Sequence, residues 1–315
     1  MRRARLDVEA RVRVVSREQL RFSAPLAGVA GTEWLRSGSA LVRFGKRLAL
    51  VQDDALVLGW LDANGELKAE SLAADSSNEL LFDDKRRKPD FEAAAVLPGS
   101  PERLLVFGSG GLPSRERIAM LSANEPTRLV DARALYASLR RERRFAGAEL
   151  NIEGAFVDGM RLLLCSRGNA ARTAESEAFD ATVELDVTEL GAYLAAPLSV
   201  PPPRLGAIER YWLGEIDGVR LTITDAALRG GTAYYLAAAE ASADSIADGP
   251  VHGASLGVLT ARPRYAVIED ERGAPLREKV EGLTPIADSD DWLAIVDADD
   301  ASIPSSLLRL RCLGL

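Results

Sequence analysis

The sequence predicts an all-β fold, a five-bladed β-propeller, on three observations. Five apolar segments of one kind recur along the chain, a short strand and a turn precede each, and the last copy lacks a strand that the N-terminus can supply. The recurring segments are Arg47–Asp54, Arg103–Gly110, Arg161–Gly168, Ala233–Glu240 and Trp292–Asp299. Each carries an apolar run too short for a helix and then small or acidic residues, the pattern of a strand buried on both faces. A recurring unit points to a solenoid, an array or a propeller; the copies here are longer than the commonest propeller repeats, and longer outer strands and loops account for the excess.

The preceding units are Ser39–Gly45, Glu92–Gly99, Glu153–Gly159, Asp225–Gly231 and Glu281–Asp288, beginning 53, 61, 72 and 56 residues apart. Gly, Pro and Asp at their ends supply hairpin turns. An oxygen-bearing residue followed by Gly or Ala heads every copy. Third strands follow at Arg117–Leu121, Ala181–Val187 and Ser255–Leu259, and fourth strands at Ile208–Ile216 and Tyr265–Glu271. Four antiparallel strands make a propeller blade. The fifth copy reaches only a third strand, from Ser306, before the chain ends at Leu315. The alternating stretch Arg5–Val15 is the donor of the missing one, and pairing it with the last blade closes the ring and protects both edges. One domain over residues 1–315 is expected, with blades near 36–72, 91–135, 150–200, 205–270 and 279–315 and an N-terminal strand at 4–16. Six blades follow instead if 170–217 holds a weak further copy.

Three segments fall outside the repeat. Asp131–Phe145 has apolar residues at helical spacing and a basic end, so a helix inserted in the second blade is expected, either structural or placed to cap the channel or meet a partner. Pro201–Pro203 reads as a stiff connection between strands. The stretch 74–78 and the charged run Asp83–Lys88 read as solvated loops between blades.

Composition sets limits on partners. Of 315 residues, 39 are Lys or Arg and 47 are Asp or Glu, a formal net charge of −8. An acidic surface disfavours phosphate backbones and anionic membranes, so neither nucleic acid nor membrane is an expected partner. No apolar run follows the two early arginines to make a secretory signal, and none approaches the length of a membrane span. Cys165 and Cys312 sit in apolar strand patterns and are expected as buried free thiols in a cytoplasmic protein.

Innermost strands line a propeller's central channel, so equivalent positions form rings around it. The alignment places Ser39, Glu92, Glu153, Asp225 and Glu281 in one ring. Carboxylates crowded there raise one another's pKa, and a bound cation relieves the repulsion. Glu92, Glu153, Asp225 and Glu281 are therefore the candidate metal ligands, and an oxygen-only set suits Ca²⁺ or Mg²⁺ better than zinc. Structural hydrogen bonding in a wet channel is the competing role. A second layer after the central strands brings Asp54, Glu240 and Asp299 to matched positions, with Asp53 and Asp297 beside them and Arg167 in the third copy. Arg167 would hold an anionic ligand group or neutralise its neighbours. No Gly-x-Ser-x-Gly elbow or phosphate-cradling glycine loop is present. Gly108–Gly111 reads as a turn, and the sole histidine, His252, as a loop residue.

Glu153-Gly154-Ala155-Phe156 followed by Leu162–Asn169, and Val280–Thr284 followed by Leu293–Asp300 with Pro304–Leu308, resemble the phytase-like and esterase-like β-propeller proteins of bacteria. The resemblance covers two blades clearly. It implies a site at one end of the channel and cation-assisted hydrolysis of an ester or phosphoester, and it touches Glu153, Arg167, Glu281, Asp297 and Asp299. Asp225 and Ser39 depart from it. Two functions are thus expected. The first is a hydrolase in which channel-bound Ca²⁺ polarises the substrate while Glu153 or Glu281 acts as base. The second is a non-catalytic propeller holding a small molecule or a partner chain on one rim.

Overall fold

The short apolar runs become strands, and turn residues fold them into antiparallel sheets. The structure, a computed structural model, describes residues 1–315 except 27–28, 30, 74–78, 124, 170–178 and 242–248. The loop expected at 74–78 thus lies outside the described residues.

Three short stretches open the chain: β1 (Arg2–Arg3), β2 (Arg5–Leu6) and β3 (Arg11–Gln19). A first four-stranded sheet follows, β4 (Gly38–Phe44), β5 (Arg47–Gln52), β6 (Val57–Leu61) and β7 (Leu67–Ser71), and a second, β8 (Phe91–Leu97), β9 (Arg103–Gly108), β10 (Arg117–Ser122) and β11 (Glu125–Asp131). Helices α1 (Arg133–Arg141) and α2 (Arg143–Ala146) precede the third sheet, β12 (Ile152–Asp158), β13 (Arg161–Ser166), β14 (Asp180–Asp186) and, after α3 (Val187–Ala195), β15 (Leu205–Trp212). Beyond the two-residue β16 (Glu215–Ile216) come β17 (Val219–Arg229), β18 (Thr232–Glu240), β19 (Val251–Val258) and β20 (Arg264–Glu269), then β21 (Lys279–Pro285), β22 (Trp292–Asp297) and β23 (Ser306–Leu313).

β3 pairs antiparallel with β23, Val12 opposite Cys312 and Glu18 opposite Leu307. It completes a fourth strand beside β21, β22 and β23. β3 also pairs parallel with β20, so the last two four-stranded arrays join in one sheet. β1 adds in parallel to β15 and β2 to β20. Residues 2–19 therefore cross the outer edges of three successive arrays, further than the single strand expected at 4–16.

Apolar side chains fill the spaces between consecutive arrays. Leu58, Trp60, Leu104 and Val106 pack between the first and second; Leu105, Phe107, Leu162 and Leu164 between the second and third. Phe156, Cys165, Ile223 and Tyr235 lie between the third and fourth, and Leu236, Ile268, Trp292 and Leu310 between the fourth and fifth. Leu41, Leu50, Ile295 and Leu307 then join the fifth to the first. Innermost strands meet in the same order, β4 on β8, β8 on β12, β12 on β17, β17 on β21 and β21 on β4.

The helix expected over Asp131–Phe145 is present in two pieces, and its face of Leu135, Tyr136 and Leu139 is buried in the core between the second and third arrays. Tyr136 donates to the carbonyl of Gly108 at 2.6 Å. α1 is thus an apolar plug, not a cap on the channel. Ile208–Ile216 was expected as a fourth strand, with the approximate limit of the next blade set at 205; the strand present is Leu205–Trp212. Its pairing with β14 makes it the outer strand of the third, which runs on to Trp212. His252 stands on β19 and not in a loop, with Nδ1 3.9 Å from Asp217. Cys165 and Cys312 are buried free thiols, as expected. No helix among the described residues is long and apolar enough to cross a membrane.

Candidate functional site

Each innermost strand carries one β-bulge near its start, where the register to its partner slips by a residue. The extra residues are Ser39, Glu92, Glu153, Thr224 and Glu281. A bulge re-aims the side chain it inserts, and here it defines one ring of equivalent positions. Four of the five residues aligned from sequence, Ser39, Glu92, Glu153 and Glu281, occupy equivalent bulges, and the fourth copy differs. Thr224 takes that position, and Asp225 stands one residue beyond it. The Asp225 carboxylate instead accepts from the amides of Ala226 and Leu283, each at 2.7 Å, tying β17 to β21.

The small residue after the ring position has a packing cause. A Cβ on Gly154 would lie 2.9 Å from the amide nitrogen of Ala226, and one on Gly282 2.6 Å from that of Leu41. Neighbouring innermost strands come too close there for a side chain. The two hydroxyl members stitch the strands together: Ser39 donates to the carbonyl of Phe91 at 2.6 Å and Thr224 to that of Val280 at 2.5 Å. In both cases the acceptor is the residue before the next ring member. The three glutamates converge, with one oxygen from each of Glu92, Glu153 and Glu281 lying within 4.8 Å of the others.

Two residues earlier on each inner strand or its lead-in stand Ser37, Asp90, Asn151, Thr222 and Lys279. The strand pairing sets Asp53, Ser109, Arg167, Ala238 and Asp297 beside them. The matched residues of the second layer are thus these five. Asp54, Glu240 and Asp299 were expected as equivalents of one another; Glu240 and Asp299 each stand two residues past their member of this set, whereas Asp54 stands one past its own. They still converge on one cavity of about 330 Å³, whose wall includes Asp53, Asp54, Asp83, Asp90, Glu92, Glu153, Glu240, Asp297 and Asp299 together with Arg36, Lys85, Lys88, Arg115, Arg167 and Lys279. Asp90 (φ +54°) and Asp299 (φ +52°) hold left-handed backbone there, which aspartate tolerates better than most residues.

The cations are embedded among the carboxylates. Lys88 bonds Asp53, lies 2.9 Å from Asp90 and 4.0 Å from Glu92; Arg115 reaches Asp90 at 2.7 Å. Arg167 meets Glu240 at 2.8 Å and Glu153 at 3.5 Å, and its Nε donates to Thr222. Lys279 lies 2.9 Å from Glu281, 3.9 Å from Asp297 and 3.7 Å from Asp299. Arg36 binds Asp54 and Asp83, both at 2.7 Å. Asn151 donates to Glu153 at 2.6 Å. The run Asp83–Lys88 was expected to be a solvated loop. Asp83–Arg87 are exposed, but Lys88 turns inward and becomes a central member of the site.

Burial governs protonation here. It pushes Glu153 up to about 8; Arg167 opposes the rise and Glu281 adds to it. Burial raises Glu92 well above the usual range, with Asp90, Asp53 and Glu153 adding to the rise. It raises Glu281 and Asp297 in the same way against the pull of Lys279, and lifts Asp54 to about 6 with help from Asp53. Asp90 is the exception. Burial would raise it, but Lys88 and Arg115 outweigh that and hold it below the usual carboxylate range. Burial would likewise depress Lys88, yet Asp53, Asp90 and Glu92 keep it well above the ordinary lysine value.

The family model described as "Family of unknown function (DUF6929)" matches residues 34–312. No curated protein matches the sequence. Among solved structures, a family 43 β-1,3-galactosidase with galactodeoxynojirimycin is 10% identical over 93% of each chain, with a TM-score of 0.51. A glycoside hydrolase family 43 arabinoxylan arabinofuranohydrolase from Bacillus subtilis is 12% identical, with a TM-score of 0.49 over 86% of this chain and 62% of its own. A virginiamycin B lyase from Staphylococcus aureus is 9% identical, with a TM-score of 0.43 over 91% and 83%. At such identity the likeness shows the fold alone, that of a β-propeller. The resemblance to phytase-like and esterase-like proteins is carried as far as the propeller and no further.

Proposed function

The chain belongs to the DUF6929 family, whose function is unknown, and on that premise we propose a five-bladed propeller that hydrolyses a small ester or phosphoester in its central cavity. The cyclic order of inner-strand contacts supports five blades, and the pairing of β3 with β23 supports closure through the N-terminus. The single observation that carries the chemistry is Glu153, a buried carboxyl on the cavity wall whose surroundings raise it to about 8. At pH 7 it keeps its proton and can give it to a leaving oxygen. Asp90, held ionised by Lys88 and Arg115, is a carboxylate of the opposite kind in the same wall. Carboxyls driven apart in pKa are the usual mark of an acid and base pair. Glu281, expected as a catalytic residue, is not part of the cavity wall and acts through its contacts with Glu153 and Lys279.

Turnover of 4-nitrophenyl esters and phosphates by the wild type and by Glu153→Gln tests this. Activity that falls as pH rises past about 8 and disappears in the variant is expected. Equal turnover by both proteins refutes the role of Glu153.

A cation-assisted form of the same reaction is favoured by the convergence of Glu92, Glu153 and Glu281, whose oxygen-only set fits Ca²⁺. A cation held there would polarise an ester or phosphoester oxygen. The other acidic group, Asp53, Asp90 and Glu92, already surrounds the ammonium of Lys88 and is a poorer fit. Proton release on adding Ca²⁺ distinguishes this form. The ion pairs also suit a rigid, non-catalytic binding cavity, the reading that stands if no substrate turns over.

A further inference from the structure

We propose that the cavity recognises a small organic cation, an ammonium or guanidinium group, on the carboxylates that the protein's own cations leave unneutralised. The inference rests on the cavity being the ligand site, as read above, and names the class of molecule it takes.

The wall is short of donors and long in acceptors. Nine carboxyl groups face six cationic side chains, and with Glu153 holding its proton at pH 7 the other eight still outnumber the cations by up to two charges. The cations are also already committed. Arg36, Lys88, Arg115, Arg167 and Lys279 each have a protein carboxylate within 3 Å. An anionic ligand drawn to any of these five would have to break a pair to gain a partner, leaving a buried charge alone, which is the costly way to bind.

Glu92 points independently to a ligand. It is 9% exposed, lines the cavity and accepts no hydrogen bond among the described residues; the ammonium of Lys88 stops 4.0 Å short of it. A buried carboxyl group is ordinarily hydrogen-bonded, and one that lines a cavity without a hydrogen-bond partner points to a ligand there. Oδ1 of Asp54 is likewise buried without a partner. The fold itself shows which group fits such a place. Lys88 sets an ammonium against Asp53 and Asp90 a few ångströms away, and Lys279 does the same among Glu281, Asp297 and Asp299. At about 330 Å³ the cavity is at the small end of ligand sites, so a single cationic head with a short body is the size it admits.

The test is an NMR titration of the full chain with methylguanidinium and with N-methylurea, which has the same shape and no charge. Saturable binding of methylguanidinium, with N-methylurea about tenfold weaker or more, is expected from charge-assisted hydrogen bonds. Glu92→Gln should remove that preference while leaving the weak N-methylurea response unchanged. Asp297→Asn, from another blade of the wall, serves the same purpose if the first variant does not fold. Equal response to the two probes, binding of acetate or phosphate in preference to the cation, or binding of calcium chloride alone would each overturn the inference. Hydrolysis of neutral esters without cation binding would overturn it too, yet leave the catalytic reading standing. Cation binding without hydrolysis of any ester would do the reverse.

Discussion

Replacing Glu153 by glutamine keeps the shape of the side chain and the acceptor for Asn151 but removes a titration. In the unfolded chain this carboxyl titrates near 4.5, and in the fold near 8. Below pH 4.5 both states hold the proton, so ionisation has no effect on stability. Between the two values the unfolded chain releases the proton and the native state keeps it, and stability falls as pH rises. The slope is about 1.4 kcal/mol per pH unit, which over that interval accumulates to roughly 5 kcal/mol. The glutamine variant escapes this loss. Arg167 is not stranded by the change, because Glu240 remains 2.8 Å away. Urea unfolding of both proteins from pH 5 to pH 9 measures the difference directly. The variant should gain on the wild type steadily up to about pH 8 and then hold level. A difference that does not vary with pH would refute the account of Glu153 and the proton it is held to carry.

Lys88→Met would leave Asp53, Asp90 and Glu92 facing one another with only Arg115 nearby, at a cost of about 3–5 kcal/mol in chemical unfolding. A loss under 1 kcal/mol would mean the ammonium is not buried as described. Gly282→Ala puts a methyl 2.6 Å from the amide of Leu41 and 2.8 Å from the carbonyl carbon of Ala40, so about 1–3 kcal/mol should be lost as the innermost strands separate. Gly191→Ala, in α3 with open space around its position, should instead stabilise the protein by about 0.5–1 kcal/mol. Thr224→Val removes the hydroxyl bonded to Val280 and should cost about 1 kcal/mol, whereas Asp225→Asn probes the two amides that the carboxylate ties together.

The central strands were legible because burial on both faces leaves an unbroken apolar run, as in Leu104–Phe107 and Leu162–Cys165. The Glu-Gly pairs at 153 and 281 were legible too, although the glycines answer to close backbone approach and not to chemistry. That distinction explains the misplaced residue. In the fourth copy Asp225-Ala226 imitates the pattern, while the bulge that assigns the ring falls on Thr224, and a bulge leaves no mark in composition. The cations were the larger omission. Lys279 and Asp90 lie two residues before ring members and could have been found from the alternation of a strand, had it been carried one step outward. Arg36, Lys88 and Arg115 come from connections outside the repeat, so no alignment of copies brings them together. Only the fold sets Lys88, at the end of an exposed charged run, against carboxylates of two blades.

The strap of residues 2–19 has a consequence for how the molecule is made. Val12 pairs with Cys312, a partner 300 residues downstream, so this strand stays unmatched on that side until the segment between them has been made. Contacts of such separation are slow to form, and an unsatisfied strand is a hazard throughout the delay. Arg11, Arg13, Arg17 and Glu18 are exposed along that strand, and their charges discourage it from pairing with a second copy during synthesis.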